Sequence, residues 1–340
     1  MSKPVAFVTG AGGEMGHLLL PALKSRGYDV VALDLVPLPP EIGSSCKAAI
    51  EASILDAPAL EEVFRRHHPQ ILLHLAAVLS TKAEKDPDLA HDVNTNGTVA
   101  LFRLAREEAL AAGRNVVVMF PSSIAVYGLP DARAKEAAGA VREEDWVRPA
   151  GMYGINKVYG EMLGSYLTAR ARKAGEPGLD FRAIRFPGLV SAETLPSGGT
   201  SDYAPEMIHA AAQGRPYSCF VRPDTRLPFM TMPDAVESFL SLASAPAESL
   251  TRRVYNIGAF SPSAAEIREA ALEHFPGAEI GFDPVPARQA IVDSWPADVD
   301  DRSARADWGH APRHGLREAV RDYLVPALRR RYAAGAAPAR

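Results

Sequence analysis

The sequence predicts an α/β protein in which a doubly wound parallel sheet is followed by a smaller C-terminal α/β region. Two observations predict the sheet: its strands are continuous apolar runs, and amphipathic segments of helical length separate them. Strands that are apolar throughout are buried on both faces, so we expect helices on both sides of the sheet. The predicted strands cover residues 4–9, 29–34, 49–54, 71–75, 115–121 and 180–186. The predicted helices between them cover residues 14–26, 57–67, 88–112 and 152–174.

After about residue 187 the pattern changes, because proline and glycine become frequent and the regular alternation of strands and helices is lost. We therefore expect a sheet domain over 1–186, a mainly substrate-binding region over 187–333 and a tail over 334–340, with the active site in the cleft between the first two. Helical patterns reappear in the second region at 203–213, 234–244, 263–275 and 315–332. Its short strand patterns lie at 227–231, 253–257 and 278–282.

Composition and charge exclude several classes of partner. Apolar residues make up 47% of the chain and charged residues 23%, which is typical of a globular protein with a sizeable core. The net charge of -4 gives no positive surface for nucleic acid. No apolar run reaches the ~18 residues of a membrane span, and no signal-like segment precedes the first strand. Cys46 and Cys219 have no CxxC spacing, so we expect no disulfide framework, no metal site and a cytoplasmic location.

A glycine-rich turn follows the first strand. Gly10, Gly13 and Gly16 recur at three-residue spacing where the strand ends and the first helix begins. Glycine lets the backbone turn tightly and approach an anion closely, and the helix N-terminus offers N–H groups to that anion. The second strand ends in Asp34, whose carboxylate can bind both ribose hydroxyls of NAD and would repel the 2′-phosphate of NADP. Residues 1–186 are therefore predicted to be an NAD-binding Rossmann domain.

Two further patterns predict catalytic residues beside this turn. Tyr153 and Lys157 form a Tyr-x-x-x-Lys pattern in a helical segment, so the phenol and the ammonium share one helix face. A nearby positive charge favours the phenolate, which can take the proton of an alcohol while a hydride leaves the carbon. The strand at 115–121 runs into Ser122 and Ser123, and a serine at that end of the strand can hydrogen-bond the reacting hydroxyl.

Together with other segments, these residues resemble the extended short-chain dehydrogenase/reductase superfamily, whose best-known members are similar to UDP-galactose 4-epimerase. The resemblance covers nearly the whole chain and aligns the catalytic serine with Ser123. It implies that Ser123 and Tyr153 handle the substrate hydroxyl and that Lys157 holds the nicotinamide ribose. It also implies that Asp56 contacts the adenine. The full set of implied cofactor contacts is Gly10, Gly13, Glu14, Met15, Gly16, Asp34, Ile54, Leu55, Asp56, Leu75, Ala76, Ala77, Asn94, Tyr153, Lys157 and Pro187.

The second half of the chain resembles the short-chain type of L-threonine 3-dehydrogenase in four blocks. This resemblance implies NAD-dependent oxidation of the β-hydroxyl of L-threonine to 2-amino-3-oxobutyrate, with Tyr153 as the base. The segment before Thr200 is rich in glycine and can offer N–H groups to a carboxylate or move as a lid. Family members pair through helices matching 88–112 and 152–174, which implies a homodimer. The blocks are 185–191, 195–204, 224–235 and 293–298, and the implied substrate contacts are Ser80, Ser123, Tyr153, Gly199, Thr200 and Trp295.

Two alternatives remain open from the sequence alone. A nucleotide-sugar epimerase or dehydratase of the same superfamily would use the same catalytic residues and could bind a diphosphate through Arg226 and Arg288. A non-catalytic protein that senses the dinucleotide would keep the glycine turn, although such proteins often lose the tyrosine or the lysine. Arg185 could either steady the substrate region or pair with an acid, and His74 is expected to be a buried core histidine.

Overall fold

The computed structural model describes residues 3–196 and 198–333, so the tail predicted at 334–340 lies outside the described residues. A seven-stranded parallel sheet forms its centre, in the order β11-β7-β5-β4-β1-β2-β3. The strand order reverses between β1 and β4, which is the doubly wound arrangement that the apolar runs predict. The strands are β1 Val5–Thr9, β2 Asp29–Asp34, β3 Ala48–Glu51, β4 Ile71–His74, β5 Val116–Ser123, β6 Ala140–Val141, β7 Leu179–Phe186, β8 Gly188–Val190, β9 Tyr217–Cys219, β10 Phe229–Thr231, β11 Val254–Asn256, β12 Ile280–Phe282 and β13 Asp298–Val299.

Helices cover both faces of the central sheet. The helix predicted at 88–112 has a π-helical segment, Asp92–Gly97, between α5 and α6, whereas the helix predicted at 152–174 is continuous. Among the described residues, no helix combines the length and the apolar character that crossing a membrane requires. The α-helices are α1 Gly16–Ser25, α2 Pro40–Gly43, α3 Ala57–His67, α4 Ser80–Lys85, α5 Pro87–His91, α6 Thr98–Ala112, α7 Ala132–Ala138, α8 Met152–Ala174, α9 Tyr203–Ala212, α10 Met232–Ser244, α11 Ala264–Leu272, α12 Pro286–Asp293, α13 Arg302–Trp308, α14 Leu316–Glu318 and α15 Val325–Ala333.

Two apolar layers hold the helices to the sheet. Successive side chains of a strand point to opposite faces, so Phe7 of β1 enters one layer while Ala6 and Val8 enter the other. In the first layer Phe102 of α6 contacts Phe181 of β7 edge to face, with ring centroids 5.6 Å apart. The second layer contains leucines of α1 and Phe239 of α10. Because both faces are buried, every strand of the sheet can be apolar along its length.

Two elements that we assigned to the smaller C-terminal region belong to the central sheet instead. The strand predicted at 253–257 is β11, which pairs in parallel with β7 as the seventh strand. The helix predicted at 234–244 is α10, whose apolar face packs in the same layer as α1. After residue 186 the chain therefore leaves the sheet and later returns to it. The sequence pattern could not reveal this return, because a short parallel strand looks the same wherever it pairs.

Most of the rest of the C-terminal half forms a third apolar cluster beside the carboxyl end of β5, whereas α13 packs in the layer that contains α1 and α10. This third cluster combines α9 and α11 with the two-stranded β9–β12 and β8–β10 pairs. The cluster also takes in residues 124–127, which directly follow β5. These four residues, which follow the predicted catalytic serine directly, are thus part of the core of the second region.

A buried ion pair joins α8 to β7. Arg185 donates two hydrogen bonds to the carboxylate of Glu161, at 2.8 and 2.7 Å, and both side chains are about 5% exposed. Arg185 also donates to the Tyr127 hydroxyl at 2.9 Å and to the carbonyl oxygen of Glu143 at 2.6 Å. Burial opposes the charge of the guanidinium, but the bonds and charge of Glu161 outweigh it and raise the pKa of Arg185 above its ordinary value. Arg185 therefore pairs with an acid, which is one of the two roles left open above.

We expect Arg185→Met to lower the free energy of unfolding by about 3–5 kcal/mol, because it leaves the Glu161 carboxylate buried without its partner. Arg226→Met is the matched control, since Arg226 and its partner Glu266 are both nearly half exposed, and it should cost less than about 1 kcal/mol. Urea unfolding followed by circular dichroism measures both variants. Equal losses in the two variants would contradict this account of the ion pair.

Candidate active site

The glycine turn after β1 packs against the turn that follows β4. Gly10 has a φ of +64°, and a Cβ atom there would lie 2.5 Å from the backbone nitrogen of Ala76. At Gly16 a Cβ would lie 1.9 Å from the carbonyl oxygen of Ala11. Glycine is thus required at both positions by close contacts within the protein itself. From the sequence we attribute the glycines to a tight turn and to the close approach of an anion; these contacts support the first reason, and the second stays a prediction.

Asp34 lies directly beside this turn. The backbone N–H of Gly12 donates to its carboxylate at 2.8 Å, so the end of β2 and the start of α1 form one edge of the crevice. In the described part of the chain, the side chain of Met15 makes no capping bond at the start of α1. A helix start of this kind favours an anion, and a neighbouring carboxylate favours ribose hydroxyls. The residues present therefore fit a dinucleotide with a diphosphate and an unphosphorylated ribose.

Three other predicted cofactor contacts support the crevice walls with their side chains. Asp56 caps α3 by accepting the N–H of Ala59 at 3.1 Å. Ile54 is buried, and a Cβ at Gly97 would come within 2.6 Å of its side chain. The Asn94 amide brackets the backbone of Val78, accepting its N–H at 2.7 Å and donating to its carbonyl oxygen at 2.9 Å. The contacts of these three residues with a cofactor stay predictions.

Asn94 lies in the π-helical segment before α6. Its amide nitrogen also contacts the side-chain oxygen of Asn156 on α8 at 3.3 Å. Insertions of this kind in a helix often occur at functional sites. Four further predicted cofactor contacts lie at the carboxyl ends of strands: Leu75, Ala76 and Ala77 follow β4, and Pro187 follows β7. Leu55 lies in the turn before α3 and is exposed, and its contact with a cofactor stays a prediction.

Tyr153 and Lys157 lie in the first two turns of α8, on the same side. The Lys157 ammonium is 4.6 Å from the ring centroid of Phe120 and 5.4 Å from that of Tyr153. Burial lowers the pKa of Lys157 to about 7, although the charge of Glu161 acts in the opposite direction. Burial also raises the pKa of Tyr153. In the protein alone, burial therefore opposes the charged forms of both groups. The lowering of the phenol pKa by a nearby positive charge stays a prediction for the enzyme with NAD bound.

The two serines at the end of β5 point in opposite directions, as alternation along a strand requires. Ser122 is buried and donates to Glu161 at 2.5 Å. Ser123 is half-buried, and its hydroxyl oxygen accepts the N–H of Ala125 at 3.1 Å. Of the two, Ser123 is the less buried residue, and its role as the catalytic serine stays a prediction.

His74 is a satisfied core histidine, as the sequence predicted. Its ring nitrogens contact the hydroxyls of Thr9 at 2.8 Å and Thr98 at 2.9 Å. Burial, with a smaller effect of the Lys157 charge, lowers the pKa of His74 to about 3. The ring is therefore neutral at physiological pH and adds no charge beside Lys157.

The predicted substrate segment lies against the start of α4, with Ser197 outside the described residues. Thr200 is buried, and its hydroxyl contacts that of Ser80 at 3.1 Å. The N–H of Gly199 donates to the Asp202 carboxylate at 2.7 Å. The donor that we expected at Gly199 is therefore already engaged in this conformation, because Asp202 lies within the same turn.

Trp295 lies in the apolar cluster of the second region and is buried. Tyr153 packs at the margin of the same cluster. Trp295 thus lies in the core near the site, and its role as an exposed wall of a substrate pocket stays a prediction.

The two arginines that a diphosphate-binding enzyme would need have other partners. Arg226 donates to the carbonyl oxygen of Ser261 at 2.7 Å and to Glu266 at 3.0 Å. The guanidinium of Arg288 lies 3.1 Å from the ring centroid of Phe220 and donates to the carbonyl oxygen of Gly199 at 3.0 Å. Arg288 therefore bonds the predicted substrate segment, whereas the epimerase or dehydratase alternative would have it bind a diphosphate.

Sequence reasoning missed two acidic residues beside the catalytic pair. Glu161 follows Lys157 by four residues, so its position on the same helix face was a signal that could have been used. Glu84 accepts the N–H of Met152 at 2.6 Å and lies on a separate helix, and no local pattern indicates that contact.

Comparison with known proteins assigns the family. Residues 6–258 match the NAD dependent epimerase/dehydratase family. The chain is 36% identical over 319 residues to the mitochondrial L-threonine 3-dehydrogenase of Bos taurus, which covers 94% of this chain and 81% of that protein. It is similar to the structure of a partial consensus L-threonine 3-dehydrogenase, with a TM-score of 0.85, 36% identity and coverage of 96% and 100%. It is also similar to the structure of a monomeric L-threonine 3-dehydrogenase from a metagenome, with a TM-score of 0.84 and 35% identity. The match covers 96% of this chain and 99% of that chain.

The matched range includes every strand of the central sheet, the glycine turn and the start of α8. The resemblance to extended short-chain dehydrogenases and the use of NAD, both predicted from the sequence, are therefore confirmed. The chain belongs to the NAD dependent epimerase/dehydratase family and is an NAD-dependent enzyme.

Proposed function

We propose that the protein oxidises the β-hydroxyl of L-threonine to 2-amino-3-oxobutyrate with NAD. The observation that carries the proposal is that the Lys157 ammonium lies 5.4 Å from the Tyr153 ring centroid on α8, which packs against β5, the strand that ends at Ser123. The glycine turn follows β1 at the same carboxyl edge of the parallel sheet. The similarity to L-threonine 3-dehydrogenases over almost the whole chain supports the choice of substrate.

In the proposed mechanism Tyr153 takes the proton of the substrate hydroxyl and Ser123 hydrogen-bonds the same oxygen. The glycine turn and Asp34 would hold NAD, which would supply the acceptor for the hydride and a positive charge that favours the phenolate. The Lys157 ammonium lies 5.4 Å from the Tyr153 ring centroid and favours the phenolate once the two charges form together. The burial that disfavours each charge singly also strengthens the attraction between them.

L-Threonine is small and zwitterionic, so its site needs a few polar groups. Ser80 and Thr200 provide two hydroxyls that contact each other in this structure and can turn towards a substrate carboxylate. Arg288 and Thr81 hold the carbonyl oxygens of Gly199 and Gly198, which fixes the segment that carries Thr200. We further propose that residues 187–333 contribute the main substrate contacts and that the enzyme acts in the cytoplasm.

We also propose that the protein forms a homodimer through α6 and α8. An apolar stripe on α8 is exposed, with Met162 at 67% and Tyr166 at 61%. Ile155 and Tyr159 continue it, and the spacing keeps all four side chains on one helix face. On α6 Val99 and Leu110 are exposed too. A second copy presenting the same two helices would cover this surface, although one similar enzyme is described as monomeric.

Tyr153→Phe should lower kcat for L-threonine by about 10²–10⁴-fold, because the variant lacks the base. Formation of NADH, followed by its absorbance, measures the rate. Binding of NADH should remain, which separates loss of chemistry from loss of the fold. Turnover of a UDP-sugar by the wild type with none of L-threonine would support the epimerase or dehydratase alternative. NADH binding with no loss of any alcohol oxidation in the variant would support the sensing alternative.

The pH dependence of stability tests the buried state of Lys157 in the protein without NAD. Burial lowers its pKa from 10.5 to about 7, so the unfolded chain holds one more proton above pH 7. The free energy of unfolding, relative to that of Lys157→Met, should therefore rise with pH by about 1.4 kcal/mol per unit between about pH 7 and 9. Below pH 7 the difference should be constant. Urea unfolding at four pH values gives both curves, and parallel curves throughout would contradict the assignment.

The double variant Met162→Glu/Tyr166→Glu should be monomeric while the wild type is dimeric, because two carboxylates would be buried in the proposed interface. Sedimentation equilibrium measures the mass of each. Val285→Glu is the control, since Val285 is an exposed apolar residue away from α6 and α8. A monomeric wild type, or a dimer that survives the double change, would exclude this interface.

A further inference from the structure

Helix α4 lies between the substrate segment and the start of α8. At its beginning the Ser80 hydroxyl contacts that of Thr200, and Thr81 donates to the carbonyl oxygen of Gly198 at 2.7 Å. Its middle residue, Ala83, is buried in a small apolar cluster against which Met152 and Tyr153 pack. One short helix therefore contacts both the proposed substrate segment and the residue proposed as the base.

The start of α8 takes its capping group from α4. The N-cap residue is Gly151, which has no side chain to accept an N–H of the first turn. The N–H of Met152 donates instead to the carboxylate of Glu84 at 2.6 Å. A Cβ atom at Gly151 would lie 2.6 Å from the same carboxylate oxygen. The glycine thus makes room for a cap that another element supplies.

This contact acts one residue away from Tyr153. A carboxylate at a helix N-terminus satisfies a free N–H and interacts favourably with the helix dipole. Because catalysis by a general base depends on a well-held geometry, fraying of this turn would displace the Tyr153 ring. Because α4 also contacts the proposed substrate segment, its bond to the first turn of α8 fixes the position of the Tyr153 ring relative to that segment.

We propose that Glu84 is a positioning residue for Tyr153, acting as the N-cap of α8 from α4. The catalytic readout of this proposal rests on the proposed oxidation of L-threonine. A second readout, exchange of backbone amides, does not depend on any substrate.

The kinetic test compares four variants with the wild type in the presence of NAD and L-threonine. Glu84→Ala should lower kcat about tenfold with less than about a threefold change in KM, because the cap is lost and the substrate contacts remain. Glu84→Gln keeps an acceptor oxygen and should stay within about threefold of the wild type. Glu84→Ala/Gly151→Ser supplies a local cap in the vacated space and should recover kcat to within about threefold. Lys85→Ala, an exposed neighbour on α4, is the control.

Hydrogen exchange followed by mass spectrometry measures the cap directly in the same proteins. Exchange at the amides of residues 152–155 should rise about tenfold in Glu84→Ala and return towards the wild-type rate in the serine double variant. Exchange in the middle of α8 should not change. This measurement decides whether Glu84 holds the turn even if the wild type does not oxidise L-threonine, in which case the proposed function fails separately.

Three results would overturn the proposal. One is an unchanged exchange rate at residues 152–155 in Glu84→Ala. Another is faster exchange with kcat within threefold of the wild type, which would make the contact purely structural. The third is a serine double variant that recovers slow exchange but not kcat, because the loss of activity would then come from something other than the cap.

Discussion

The ion pair between Glu161 and Arg185 holds the catalytic helix on the sheet. Glu161 lies one turn beyond Lys157, and the same carboxylate accepts a hydrogen bond from the hydroxyl of Ser122, next to Ser123. The residues proposed for catalysis come from β5 and α8, and this carboxylate is bonded to both β5 and β7. An ion pair so deeply buried is tolerated because nearly all of its polar atoms have partners. The ion pair fixes the position of α8 relative to β7, whereas apolar packing alone would allow these two elements to slide past each other.

Burial of Tyr153 and Lys157 opposes the charged forms that the proposed chemistry requires of both groups. In the protein alone the pKa of Tyr153 is raised and that of Lys157 is lowered to about 7, so each group favours its neutral form. When the phenolate and the ammonium form together, their mutual attraction offsets part of the free energy that burial of each charge costs. The positive charge of Lys157 is also supported by Glu161. The carboxylate that positions the helix thus helps to keep a cation next to the proposed base.

How much of this could be predicted from the sequence depends on the range of the interaction. Local patterns predict the strands of the first half, the glycine turn and the Tyr153/Lys157 pair. Each of these features lies within one element or one turn, where the hydrophobic period and the residue spacing can be read directly from the sequence. The pairing of β11 with β7, and the packing of α10 beside α1, depend on where the chain returns after residue 186. Glu84 was missed for the same reason, since the N–H that it accepts belongs to a helix far along the chain. The Gly199 donor was misjudged because Asp202 turns back onto it.

The second half of the chain distinguishes substrates within a shared scaffold. An enzyme for nucleotide sugars needs free cations to bind a diphosphate, yet Arg226 bonds Glu266 and Arg288 stacks on Phe220 while holding Gly199. Using Arg288 for a diphosphate would remove one of the two hydrogen bonds that hold the carbonyl oxygens of Gly198 and Gly199. A small amino acid does not need these cations, because the paired hydroxyls of Ser80 and Thr200 can reorient towards it. Their reorientation leaves the hydrogen bonds to the segment's carbonyl oxygens intact. These contacts are compatible with the small zwitterionic substrate that we propose.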